Sequence, residues 1–139
     1  MKKRKFYFRT LVGAGLIAAA AAFPAFADNW IHQENGWVCK TADGYMQTGW
    51  YQDKNNGGKW YYLWPEAGNR LGCMQTGWLQ KDGKWYFFDT RSGSSGAMLT
   101  GWQWIDGKCY YLDPAAGGAM AISNTLLDGS RVGSDGAWV

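Results

Sequence analysis

Residues 78–88 read Trp-Leu-Gln-Lys-Asp-Gly-Lys-Trp-Tyr-Phe-Phe, two apolar runs around a polar centre. Asp82-Gly83 suits a two-residue hairpin turn, which needs positive φ at both of its central positions. Pairing outward from that turn sets Lys81 opposite Lys84, Gln80 opposite Trp85, Leu79 opposite Tyr86 and Trp78 opposite Phe87. Side chains alternate along a strand, so Trp78, Gln80, Trp85 and Phe87 share one face, and Leu79, Tyr86 and Phe88 the other. Both faces are apolar, and a lone hairpin leaves at least one of them wet. Stacking against further hairpins removes the conflict.

The pattern recurs. A turn at Asp106-Gly107 groups Trp102, Trp104, Cys109 and Tyr111. A longer loop over Asp53–Lys59 groups Trp50, Gln52, Trp60 and Tyr62, and a turn at Asn35-Gly36 groups Trp30, His32, Trp37 and Cys39. Met46-Gln-Thr-Gly-Trp50, Met74-Gln-Thr-Gly-Trp78 and Met98-Leu-Thr-Gly-Trp102 place their tryptophans 28 and 24 residues apart. Trp37, Trp60, Trp85 and Cys109 follow at spacings of 23, 25 and 24, and Met120 continues the methionine series. A period in the low twenties predicts an all-β solenoid of about four hairpin repeats, each unable to bury its own face alone. Gly/Ser/Asp-rich stretches such as 89–97 and 113–119 read as connectors, with 64–72 a longer variant. Residues 128–139 carry two Asp-Gly turn signals and a final aromatic, the pattern of a C-terminal capping hairpin.

Composition sharpens this picture. The 10 Trp, 8 Tyr, 6 Phe and 20 Gly among 139 residues, with 18% charged, exclude a helical bundle and a disordered tail. The formal charge of +3 suggests nucleic acid, yet Lys2, Lys3, Arg4, Lys5 and Arg9 all lie at the front without an acid among them. An apolar run from Leu11 to Ala22 and a small-x-small ending at Ala25-Phe26-Ala27 complete a secretory signal peptide over residues 1–27. The run of about a dozen residues is short of the ~20 that span a bilayer. Residues 28–139 keep nine bases against eleven acids, a charge of −2, which leaves no basic patch for nucleic acid and no membrane span.

Catalytic chemistry is thin. His32 is the single histidine, so neither a His-based triad nor a zinc site finds its ligands. Asp43, Asp82, Asp106, Asp128 and Asp135 stand before glycine, where turn chemistry accounts for them, and no paired carboxylates emerge. Cys39, Cys73 and Cys109 lack metal-ligand spacing. An odd count in a secreted chain leaves open one pair with a free thiol, an intermolecular link or no bridge, and each cysteine reads as a packing substitution at a repeat position. No catalytic residue, metal or cofactor is implied.

Gly-Trp, a short turn, Trp-Tyr-aromatic, a polar connector and Met-x-Thr-Gly-Trp together resemble the choline-binding (cell-wall-binding) repeat of Gram-positive surface proteins, over Trp30 to Val139. The resemblance implies a left-handed hairpin solenoid in which choline lies between consecutive hairpins, held by aromatic rings with a methionine nearby. Transferred by motif position, the cages are Trp78 and Trp85 with Tyr111 and Met98; Trp50 and Trp60 with Phe87 and Met74; and Trp30 and Trp37 with Tyr62 and Met46. A further position has Trp102, with Trp104 standing in for the tryptophan replaced by Cys109. Leu79, Tyr61, Tyr86, Tyr110 and Leu112, on the opposite faces, read as structural.

A quaternary ammonium donates no hydrogen bond, whereas aromatic faces attract it by roughly 0.5–2 kcal/mol each when desolvated. Three walls give roughly millimolar affinity, and a polymer bearing many cholines gains by engaging several cages at once. The implied function is a secreted, non-enzymatic module on the cell surface that binds choline-decorated teichoic acid. A glucan-binding repeat and a protein-interaction module are the alternatives, and pairing of two copies stays open.

Overall fold

The computed structural model describes residues 29–139; the signal peptide expected over residues 1–27 lies outside them. The chain divides into two compact units, the first ending at Met74 and the second running from Gln75 to Val139.

The first unit holds two antiparallel hairpins. β1 (Asn29–Gln33) pairs with β2 (Gly36–Lys40), and β3 (Gly49–Asp53) pairs with β4 (Lys59–Leu63). The register Trp50↔Tyr62 and Gln52↔Trp60 follows the sequence pattern. In the first hairpin Gln33 pairs with Gly36, so the turn residues are Glu34-Asn35 rather than Asn35-Gly36. Gly36 instead opens β2 at φ +122°, outside the left-handed turn region that Asn-Gly would supply. The expected face survives that one-step shift, since Trp30 pairs with Cys39 and His32 with Trp37. Val38, Cys39, Tyr61, Tyr62, Leu63 and Cys73 are buried.

In the second unit β5 (Gly77–Lys81) pairs with β6 (Lys84–Phe88), and β7 (Gly101–Ile105) with β8 (Lys108–Asp113). Both registers are those expected from Asp-Gly turns, and Asp82 and Asp106 adopt φ +51° and +50°. Two short elements depart from the loop expectation for 113–119. A 3₁₀ turn over Pro114–Ala116 is capped by the Asp113 carboxylate, which accepts from Ala115 N–H, and β9 (Ala119–Met120) adds a third strand beside β8. β10 (Asn124–Thr125) and β11 (Arg131–Val132) form a short terminal hairpin. Phe87, Ile105 and Leu112 make the core, with Trp78, Leu99, Tyr110 and Met120 packed against it.

Connectors are joined to one another by methionine. A Cβ at Gly72 would lie 2.5 Å from Met46 Sδ, one at Gly118 2.7 Å from Met98 Cε, and one at Gly136 2.5 Å from Met120 Cε. Each glycine also has positive φ (+72°, +90° and +81°), so both the backbone and the methionine beside it demand the missing side chain.

The connectors close on themselves by different chemistries. Asp89, 2% exposed, accepts from Arg91 Nε and Nη2 (2.9 and 2.8 Å), from Arg91 N–H (2.9 Å) and from Ser94 Oγ (2.6 Å). The Arg91 hydrogen bonds hold its carboxyl well below the usual carboxylate range. At the corresponding place in the first unit stands Trp64, with the Arg70 guanidinium 4.0 Å above its ring. Cys39, Cys73 and Cys109 are all buried within the packing of their hairpins and connectors.

Because the folded carboxyl of Asp89 titrates below its unfolded value of about 3.9, its stabilisation is fully present above that pH and is lost progressively as pH falls from there through the lower folded value. Asp89→Asn should therefore destabilise at pH 7 by roughly 2–3 kcal/mol and flatten the acid limb of a urea-melt series between pH 5 and 2. Equal losses at every pH would contradict this. Gly118→Ala should cost roughly 2–4 kcal/mol through left-handed strain and overpacking, with Met98→Ala in the same chain recovering part of the loss in thermal melts.

Candidate functional site

Trp78 on β5 and Trp85 on β6 sit diagonally on one face of their hairpin, rings 6.1 Å apart and at 89°. Phe87, the cross-strand partner of Trp78, is buried beneath it at 5.0 Å. A third ring comes from the next hairpin: Tyr110 on β8 stands 5.1 Å from Trp78, also edge to face. Met120 on β9 and Asp135 in the last turn complete the lining of a cavity of about 280 Å³. That volume is just under the ~300–1,000 Å³ of drug-sized pockets, a space for a small headgroup. Edge-to-face packing fixes the rings without burying every face, and Trp85 keeps 39% of its surface exposed.

Asp135 accepts from Ala137 N–H through Oδ1 (3.0 Å) and from Lys108 Nζ through Oδ2 (3.3 Å). The backbone bond first, and then Lys108, hold its carboxyl below the ordinary range, so it is an anion at neutral pH.

The structure brings Trp78 and Trp85 together as expected by motif position, but the ring and methionine that join them are Tyr110 and Met120. Tyr111 points to the other face of β7–β8, 5.2 Å from Trp102. Met98 forms a bridge to Phe88 and packs on Gly118. The reason is geometric: the Trp-bearing face of one hairpin meets the opposite face of the next, which is one residue out of phase. Tyr110, expected to be structural only, therefore lines the cavity.

The first unit repeats the offset. Trp30 packs against Tyr61 at 4.8 Å and Tyr51 at 6.0 Å, and its indole N–H donates to the buried Asp53 carboxylate at 2.9 Å. Burial, and then the Asp53 charge, push the Tyr61 hydroxyl up from its ordinary pKa. Tyr62, expected beside Trp30, instead faces Trp50 at 5.3 Å and Trp64 at 5.8 Å. Trp37 stands edge-on to His32 at 5.0 Å. Met46 covers Gly72, and Met74 N–H donates to the Trp37 carbonyl. Trp50 and Trp60 share a face of β3–β4. Trp37, Trp50 and Trp60 are 39–40% exposed, matching Trp85, so four tryptophans of the repeat pattern each keep a comparable part of the ring open.

Trp102 is half-buried beside Tyr111, and Trp104, opposite Cys109, is 71% exposed. Among the described residues no group of three His, Cys, Asp or Glu is placed to hold a metal, and no helix is long and apolar enough to cross a membrane.

The cell wall binding repeat model of the choline-binding family matches residues 76–91 and 100–115, the hairpins that build the cavity. The choline-binding domain of Spr1274 from Streptococcus pneumoniae is 34% identical, with 67% of this chain and 95% of that one covered at a TM-score of 0.52. The chain belongs to the choline-binding, cell-wall-binding repeat family.

Choline binding protein F of S. pneumoniae, solved in the presence of a peptidoglycan analogue, is 36% identical over 81% of this chain at a TM-score of 0.66. The multimodular cell wall endolysin of phage Cp-1, complexed with choline, is 30% identical over 72% at 0.55. This family member spans 33% of the first of those two chains and 26% of the second. A comparison with curated proteins gives no match.

Trp78, wedged between Phe87 and Tyr110, should cost roughly 3–5 kcal/mol when replaced by alanine, whereas Trp85→Ala should cost no more than about 1–2 kcal/mol, because much of the ring is already in water. Urea midpoints of the two variants check the order, and a reversed order would contradict the geometry.

Proposed function

We propose that this chain is a secreted, non-enzymatic cell-wall-binding module that recognises choline residues of teichoic acids through aromatic cages. Residues 1–27 act as its leader and 28–139 as the binding domain. The observation that carries this reading is the cavity of Trp78, Trp85 and Tyr110, three rings set edge to face with Asp135 at the margin. A trimethylammonium group offers methyl surface and diffuse positive charge with no hydrogen to donate. Rings serve it better than a hydrogen-bonding pocket would. Trp37, Trp50 and Trp60, equally exposed, supply walls for further cages, and several weak sites engage a repeating polymer together.

Titration of the secreted chain with choline should change tryptophan fluorescence with a roughly millimolar midpoint, and Trp85→Ala should remove part of that change. Protein held on choline-bearing cell walls should elute with free choline and not with salt or dextran. No fluorescence change up to tens of millimolar choline would sink the proposal; elution by dextran would point to a glucan instead.

A further inference from the structure

The cavity contains one feature that ring chemistry does not require. Aromatic faces attract cations, but they also take neutral methyl-rich groups and sugar faces. Asp135 is the single carboxylate among the five lining residues. Its two oxygens divide their work: Oδ1 closes the turn by accepting from Ala137 N–H, and Oδ2 remains for a charged partner, which in this structure is Lys108. The next residue, Gly136, packs on Met120, so the carboxylate and a wall of the cavity are fixed to each other. The residue preceding the connector glycine is Asp43, Leu71, Ser95 or Gly117 elsewhere in the chain, so a carboxylate is not demanded by the repeat itself.

Resting on the choline reading above, we infer that Asp135 is the specificity-determining residue of the Trp78–Trp85–Tyr110 cage. Its carboxylate makes the cage favour a cation over a neutral molecule of the same shape. Lys108 shares that charge and yields part of it when a ligand cation enters. At neutral pH the carboxylate is ionised, held so by the Ala137 and Lys108 hydrogen bonds. Both side chains of the pair are more than half exposed, so the effect is that of a screened surface charge.

The test uses the full secreted chain labelled with 5-fluorotryptophan, following the Trp85 resonance, identified by its loss in Trp85→Phe. Choline is titrated beside 3,3-dimethylbutan-1-ol, its uncharged carbon isostere. Asp135→Asn keeps an oxygen for Ala137 N–H. It should weaken choline binding roughly three- to fivefold at low salt, leave the alcohol unchanged, and lose its effect as ionic strength rises above about 0.15 M. Lys108→Gln should tighten choline roughly twofold without altering the alcohol. If Asp135→Asn weakens both ligands equally, or neither while the unaltered chain binds choline, the specificity role is overturned and the choline reading stands. An unchanged choline midpoint in Lys108→Gln overturns the competing role of the lysine. If the unaltered chain binds no choline, both readings fail.

Discussion

Everything in this structure follows from the fact that a two-stranded ribbon with five or six residues per strand is marginal in water. None of the four long hairpins has a wholly polar side to turn outward. β5–β6 carries Trp78, Trp85 and Phe87 on one face and Leu79, Tyr86 and Phe88 on the other. Such a ribbon persists only against another, and in the second unit Phe87, Ile105 and Leu112 from successive hairpins merge into one buried core. The cavity follows from the same requirement. Where two ribbons meet, a ring from the second completes the walls begun by the first, and the space left over is the cavity.

The connectors show how one structural task is met by different side chains. After β6 the chain returns through a buried carboxylate bound to Arg91 and Ser94, and after β8 through a 3₁₀ turn capped by Asp113. In the first unit a guanidinium sits over the Trp64 ring instead. What does not vary among Gly72, Gly118 and Gly136 is the close approach of a methionine. Thioether side chains adapt to irregular gaps, which suits a contact that must form between connectors of unequal length.

Much of this was legible in the amino acids. Asp-Gly turns with alternating apolar residues give the registers of β5–β6 and β7–β8, and alternation alone gives that of β3–β4 across its longer loop, because one slip would reverse every face. The first hairpin differs by one position, since Glu34-Asn35 makes the turn and Gly36 enters the strand. Trp78 and Trp85 are also legible as neighbours on one face, and both line the cavity. Tyr110 and Met120 are not legible as their partners, for alternation describes one ribbon and is silent about which face of the next ribbon meets it. Asp135 is hidden for another reason. An Asp-Gly pair is fully explained by its turn, and only the fold shows that the second oxygen meets Lys108 at the margin of the cavity.

The methionine–glycine contact has a consequence for how such proteins change length. Each joint is written within two adjacent copies, with the thioether in one and the bare backbone position in the next. A tandem duplication that inserts one copy in frame therefore breaks one joint and supplies the parts for two. Unequal crossing-over can lengthen or shorten the array without any compensating substitution at the seam. The number of copies thereby becomes a quantity that recombination adjusts in whole steps, while the chemistry of each copy drifts separately.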